Sequence, residues 1–498
     1  MATGVNGPRK RSRGAKPFYK GMQSIRGGLF GSLAGVRQPE QRGECRSVLP
    51  QWQQRADERE LELPGSTFKT TLKIYLTTAY PLCGENREQE QPVSTSGKPV
   101  NLKERNSLMK RKCKQVDITD FDTIRPWVKE CIMRHKKRYD FRKLLFAHGL
   151  DKRDYFESLE TKDWSKYEPV IDSITEEARQ EILNRNLVLQ PVRIREQVDK
   201  TTNKTRMIGC ECPMQQIFDY IAVYSCREIW EKRIVPQQVS SMPNRGQVYG
   251  MKLIRKYVRS DLRAERYARK HQLRYTKKCR YFVKLDIRKC FPHADRDIFL
   301  KLFERDCGNK TIVWLWRTLM ATHKTENYDG FMIGALISQW ACQYMLSFLY
   351  RFTMNLKSRE KKLVTHMVLF MDDMLLMGSN RSRLLMAVRK LIEYAKSLSF
   401  EIKKTYAIYR MSVGIDMMGY VVHENGKVTI RGRDYIKARR MMLRQDAKGL
   451  CIKQAQRLVS FKGFFKYSDW PGNFKAFKRA QNVLRGGRYE QSTVLRTA

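Results

Sequence analysis

The chain has 498 residues, 42% of them hydrophobic, which suffices for a large core or for about two to four subdomains. Its 97 Lys and Arg outnumber 51 Asp and Glu, a formal net charge of +46 spread from Arg9 to Arg496. An anionic partner, nucleic acid above all or else a membrane surface, offsets such an excess, and a single basic tail does not account for it. No uncharged apolar run reaches 18 residues, which excludes a membrane-spanning helix. The 12 cysteines contain no C-x-x-C, which excludes zinc-ribbon spacing and fits reduced thiols in a cytosol-like compartment. The basic N-terminus lacks the apolar segment of a secretory signal.

Residues 1–115 are rich in Gly, Arg, Gln and Pro and show little periodicity beyond a strand-like run at 70–75. They are expected to be poorly ordered, and one reading starts the working protein near Met109. Helical spacing then appears at 121–135, 140–149 and 176–186. A weakly alternating strand is expected at 187–196, a polar hairpin tip at 201–205 and a return strand from Arg206. Ile217, Ile221, Tyr224 and Ile229 form the apolar stripe of one helix over 213–230. Residues 255–280 alternate Lys and Arg with Tyr and Leu, as either a solvated helix face or a nucleic-acid contact does.

A short apolar strand at 281–285 ends at Asp286, and a helix is expected at 338–350. The runs 367–370 and 374–377 flank Met371-Asp372-Asp373 as a tight hairpin. A helix at 382–398, strands at 400–403 and 418–422, and two basic helices over 434–465 follow.

The hairpin LFMDDML carries two adjacent carboxylates among apolar neighbours, a setting in which charge needs a partner. A divalent cation is one partner, since Mg²⁺ takes oxygen ligands at about 2.0–2.1 Å, whereas a polar β-turn is the ordinary alternative. Asp286, at the end of a separate strand, tips the balance. Two-metal phosphoryl transfer needs carboxylates from separate elements to bridge ions about 3.5–4 Å apart. Asp286, Asp372 and Asp373 are therefore the candidate metal ligands and catalytic residues, with Mg²⁺ as the ion and Mn²⁺ as its substitute.

At these residues the chain resembles the reverse transcriptase family, in order across about 115–470. Phe370–Asp373 (FMDD) resembles the family's Y/F-x-D-D hairpin, and Asp286 with Phe291 resembles its first palm motif. The resemblance makes Phe291 a steric gate selecting dNTPs, although a Phe in that place is also ordinary core. Arg206, with Lys204 nearby, resembles the fingers residue that grips the triphosphate, a task suited to a planar guanidinium. Residues 240–254 resemble the R-x-G loop and helix that contact the template. Lys404-Thr405 resembles a motif whose Lys is the candidate acid for pyrophosphate departure, and 414–422 the primer-grip strand.

Ile333–Trp340 (IGALISQW) has I-G-x-x-x-S-Q where group II intron and retroviral enzymes have Q-G-x-x-x-S-P. That form is similar to the prokaryotic reverse transcriptases of diversity-generating retroelements, which implies error-prone copying opposite template adenine. Gly334, Ser338 and Gln339 are then substrate-binding residues that hold the templating base and incoming sugar. The resemblance implies a right-hand α+β fold: N-terminal segment 1–115, fingers and template region 116–280, palm with antiparallel sheet 281–430, and a short helical thumb 431–498. It implies RNA template, primer, cDNA and dNTPs as partners, a small basic accessory protein, no membrane, and a cytoplasmic, bacterial or phage-encoded setting. An antiviral-defence or group II intron-like reverse transcriptase, a viral-type RNA polymerase and an RNA-binding scaffold with a polymerase fold are the rival readings.

Overall fold

The computed structural model describes residues 110–199, 204–323, 330–448, 451–469 and 474–497. The expected poorly ordered segment and the strand-like run at 70–75 lie outside the described residues, except for 110–115. There Cys113 is fully buried and Lys112 bridges to Cys307, so packing begins ahead of the boundary drawn at 116.

Four helices open the described chain: α1 (Phe121–His135), α2 (Tyr139–Ala147), α3 (Lys152–Thr161) and α4 (Glu168–Leu183). Asp120 and Asp151 start α1 and α3 by accepting from the backbone N–H groups of Thr123 and Arg153. The hairpin β1 (Arg193–Asp199) and β2 (Lys204–Cys210) follows, so 187–192 is not strand. Next come α5 (Pro213–Ser225), α6 (Arg227–Arg233) and α7 (Gln247–Lys270). The single helix expected over 213–230 is broken at Cys226, where Trp230 turns back to donate its indole N–H to the Val223 carbonyl at 2.7 Å.

The central sheet is antiparallel with order β6-β7-β3-β8, formed by β3 (Tyr281–Asp286), β6 (His366–Phe370), β7 (Asp373–Gly378) and β8 (Ile408–Arg410). Between β3 and β6 lie α8 (Arg296–Asp306), α9 (Lys310–Ala321), α10 (Leu336–Asn355) and the two-residue strands β4 (Lys357–Ser358) and β5 (Lys361–Lys362). Helix α11 (Arg381–Ser397) follows β7. Residues 400–403, expected to be a strand, form only a bridge from Ile402 to Ile287.

The sheet is covered on both sides, which is why its strands read as unbroken apolar runs. Val283, Leu285, Met374 and Leu376 join the large core with α10 and α11. Phe282, Val368, Leu375 and Met377 join a second core with Met251, Ile254 and Val258 of α7. The small sheet β9 (Ile415–Met417), β10 (Tyr420–Val422) and β11 (Val428–Ile430) packs into that second core. The primer-grip segment is therefore a hairpin, turning at Met418-Gly419, rather than one strand. The chain ends in α12 (Gly432–Lys448), α13 (Ile452–Lys466) and α14 (Phe474–Thr497), which share a third core. Phe461 and Phe464 are partly buried and Phe465 is buried, so the aromatic residues of 460–469 are packing residues; Trp470 lies outside the described residues. No described helix is long and apolar enough to cross a membrane.

One buried ion pair ties α6, α8 and α10 together. Arg233 donates to both carboxylate oxygens of Asp306 at 2.6 and 2.7 Å, and the Tyr344 hydroxyl adds a third bond at 2.6 Å. Burial alone would raise the Asp306 pKa, but the bonds from Arg233 and Tyr344 outweigh it and hold it below the usual carboxylate range. Its contribution to stability is therefore present at neutral pH and is lost as pH falls through that lowered pKa. Truncating Arg233 strands a buried carboxylate. Arg233→Leu is expected to lower stability by about 3–5 kcal/mol, read from urea unfolding at pH 7, with a smaller loss at pH 3.

Candidate active site

Side-chain parity places the carboxylates. Phe282, Lys284 and Asp286 share one face of β3, and Asp373, Leu375 and Met377 share the same face of β7. Asp286 and Asp373 are direct cross-strand partners, and Ile287 donates its N–H to the Asp372 carbonyl at 3.0 Å. The turn between β6 and β7 has two residues, and Met371 takes φ +52° where such hairpins favour glycine. The Gln343 amide and the Ser241 hydroxyl approach the Met371 sulfur at 3.3 and 3.7 Å and hold the turn from below. The loop before α7 locks the same hairpin, since Val239 donates to the Leu369 carbonyl at 2.8 Å.

Three carboxylates so close repel one another. Partial burial raises the Asp373 pKa to about 6, with further push from Asp372 and Asp286. Asp372 is raised by partial burial and by Asp286, against the pull of Arg206 and Lys403. Asp286 Oδ1 is shielded from solvent and receives no well-directed hydrogen bond; the Lys403 ammonium lies 2.6 Å from it. Among the described residues no group of three His, Cys, Asp or Glu is arranged to hold an ion unaided. The residues nonetheless fit Mg²⁺, which binds through one or two carboxylates and completes its shell with water and substrate phosphate oxygens.

The other expected site residues divide into two sets. Arg206 is exposed on β2 opposite Gln197, and its charge acts on Asp372. Phe291 is half-buried against the core, with Gly330 beneath it: a Cβ at Gly330 would meet the Pro292 carbonyl oxygen at 2.2 Å. Gly334 has φ +113°, and a Cβ there would lie 2.8 Å from the Gly209 oxygen. The close approach it permits is to the backbone of β2, where Gly209 donates to the Ile333 carbonyl at 2.8 Å. The side chain of Lys204 lies outside the described residues. Lys404 is exposed and no described contact ties it to the carboxylates; its neighbour Lys403 holds Asp286 through both its ammonium and its backbone N–H. The sequence offered no way to choose between adjacent lysines.

Helix α10 begins at Leu336, two residues ahead of the start expected at 338, so Ser338 and Gln339 lie within its first turn. Ser338, expected at the substrate surface, is fully buried, and its hydroxyl lies 3.4 Å from His323 Nδ1. Gln339 is half-buried. Beneath this segment lies a polar group that sequence reading missed. Asp219 accepts from the backbone N–H groups of Leu336 and Ile337 at 3.1 and 3.2 Å and so caps α10 from within the core. His323 Nε2 lies 3.0 Å from Glu211 Oε1, and both side chains are buried. Burial pushes Glu211 up to about 8 and His323 down to about 4, so at neutral pH the pair is a hydrogen bond between neutral groups. Lys284 and Arg431, which pull the Asp373 pKa down, were also missed; Lys284 is the outward residue of an otherwise buried strand.

Residues 198–422 match the family model described as reverse transcriptase (RNA-dependent DNA polymerase). They form a reverse transcriptase domain. As such the chain is an RNA-directed DNA polymerase, a nucleotidyltransferase, and its mixed helices and antiparallel sheets are those of a right-hand polymerase. No curated protein matches the chain. Among solved structures, telomerase from Candida albicans in complex with the TWJ fragment of telomeric RNA is similar over 68% of this chain and 70% of that one, at 13% identity and a TM-score of 0.35. The reverse transcriptase domain begins within the β1–β2 hairpin and ends with β10, so it contains the site residues discussed above except Arg431.

The raised Glu211 pKa makes a stability prediction. The unfolded side chain ionises near its ordinary value and the folded one only near pH 8, so stability falls as pH rises between them. Glu211→Gln, which keeps a neutral hydrogen-bonding side chain, is expected to raise Tm over wild type at pH 8 and to change it little at pH 4. Equal shifts at both pH values, read by calorimetry, would contradict a neutral buried Glu211.

Proposed function

We propose that this polymerase copies RNA into cDNA at Asp286, Asp372 and Asp373, and that its biological task is the error-prone copying of a template repeat in a diversity-generating retroelement. The single observation that carries the catalytic part is the register that sets Asp286 directly opposite Asp373 beside the two-residue turn. Bound at those carboxylates, Mg²⁺ or Mn²⁺ supplies Lewis-acid activation of the primer 3′-hydroxyl and neutralises charge on the departing pyrophosphate. The chain's own residues do the rest. Asp286 and Asp372 would hold the ions, and Asp373 completes the negative field. The Arg206 guanidinium, exposed and directed by the fingers hairpin, grips the triphosphate of the incoming dNTP. The half-buried Phe291 ring occupies the space that a ribose 2′-hydroxyl needs. Lys404, or Lys403 once released from Asp286, donates a proton to pyrophosphate.

The retroelement reading rests on Ile333, Gly334, Ser338 and Gln339 of the I-G-x-x-x-S-Q segment. In this protein that segment leans on β2 through Gly209 and on the core through His323 and Asp219. Ile333 presents an apolar side chain where related polymerases carry a Gln, and so offers the template base and sugar no hydrogen bond. At that contact the protein then checks the pair by shape, which tolerates mispairs more readily than a hydrogen-bonded check does. The RNA template, its primer, the cDNA and dNTPs are the partners, together with a small basic accessory protein.

The deciding experiment is dNTP incorporation on a primed RNA template with Mg²⁺, followed by sequencing of the product. Asp372→Ala is expected to lower synthesis by about 10³-fold or more, and chelation of the metal to abolish it. Errors are expected to concentrate opposite template adenine and to fall in Ile333→Gln. Phe291→Ala is expected to admit rNTPs. Uniform low error in the wild type would remove the retroelement reading while leaving the polymerase intact. No synthesis from folded protein supplied with accessory factors would favour an RNA-binding scaffold.

A further inference from the structure

Helix α7 carries a cationic face that the catalytic site does not use. Lys252, Lys256, Arg259, Arg263, Arg266 and Lys270 are all exposed. At 3.6 residues per turn they fall within an arc of about 80° and extend over about 27 Å. The opposite face of the helix is buried through Met251, Ile254 and Val258 against the central sheet, so the cationic face points away from it. The nearby acids are committed elsewhere. Glu265 and Glu424 both pair with Lys277, and Asp261 is buried, accepting from the Tyr275 hydroxyl and from the backbone N–H groups of Lys278 and Cys279. Among the described residues none of the six cations is in an ion pair. Their flank is fixed: Arg255 donates to both oxygens of Asp469 and to the Gly426 carbonyl, and the Lys252 ammonium lies over the Tyr467 ring. Lys256, Arg259, Arg263 and Arg266, with Asn425 from the β10–β11 turn, line one open depression.

A helix face with like charges at every turn destabilises itself unless it is neutralised. Six cations at this spacing suit a row of phosphates, and the three guanidinium groups suit phosphate oxygens in particular. The loop before α7 touches the catalytic hairpin, whereas the stripe runs away from it, along the side of the palm toward the far end of β3. We infer that this face binds the phosphate backbone of a double-helical RNA segment that stays outside the catalytic cleft, so that the enzyme holds a folded template RNA by a structured portion while copying another. The inference rests on the reading of the chain as an RNA-copying enzyme.

The test uses the full chain and the triple variant Lys256→Gln, Arg259→Gln, Arg263→Gln, with two probes: an unprimed RNA hairpin for binding and a short unstructured primed RNA for synthesis. Loss of three phosphate contacts is expected to weaken hairpin binding about tenfold or more near physiological salt, and to make the slope of log affinity against log salt shallower by about 2–3. Synthesis on the short template is expected to stay within about twofold of wild type. The charge-keeping variant Lys256→Arg, Arg259→Lys, Arg263→Lys should retain the wild-type slope, which separates charge from packing. If the triple variant fails to fold, the pair Lys256→Gln, Arg263→Gln replaces it, with an expected slope change of about 2. An unchanged slope would overturn the inference and leave a solvated helix face. A parallel loss of short-template synthesis would also overturn it, by placing the stripe on the catalytic track, as would a preference for anionic phospholipid vesicles over the hairpin. A wild-type protein that binds the hairpin but makes no DNA would refute the polymerase reading and leave the binding surface standing.

Discussion

The constraint on which the structure turns is the cost of keeping three carboxylates together. Asp286, Asp372 and Asp373 repel, and nothing in their own chemistry holds them in place. The protein opposes that repulsion with rigid surroundings. Strand β3 is hydrogen-bonded on both sides, by β7 and by β8, and the sheet is pressed between two apolar cores. The loop before α7 grips β6 through Val239 and Leu369, and Gln343 of α10 steadies Met371. Cations arrive from several elements: Lys403 after α11, Arg206 from the β1–β2 hairpin, Lys284 from β3 itself and Arg431 just before α12. Each is weak at an exposed site, but together they lower the electrostatic penalty that the sheet has to withstand.

The same logic extends to the polar group under α10. Asp219, Glu211 and His323 are buried where water cannot reach, and two of them are neutral at physiological pH. Their hydrogen bonds connect the end of β2, helix α5 and the start of α10, and so fix the spacing of the elements around Ile333 and Gly334. Gly209 and Gly334 add a backbone contact, which a Cβ at Gly334 would crowd from 2.8 Å.

Much of this was legible in the sequence because it depends on local pattern. The Asp286 strand, the Asp372-Asp373 hairpin and the helices α1 and α11 follow from apolar periodicity and turn chemistry, and their bounds agree within two residues. Helices α3, α8 and α9 went unread, although Asp151, Asp295 and Asn309 cap them and were visible signals. What could not be read were relations across distance. Which of two adjacent lysines reaches Asp286, and that Ser338 turns inward to His323, are tertiary facts. The break at Cys226 is another, since it exists so that Trp230 can enter an aromatic core with Phe303, Trp316 and Trp340.

At Met371 strain is set against entropy. A glycine at the tip of that turn would relieve the positive φ, at a strain cost on the order of 1 kcal/mol for an L side chain. It would also open several alternative turns to the two aspartates beside it. The methionine closes those alternatives, and its long sulfur-bearing side chain anchors the tip to Gln343 and Ser241. Stability is thus surrendered where the chain would otherwise gain freedom, and the aspartates inherit a single direction in which to point before any substrate arrives.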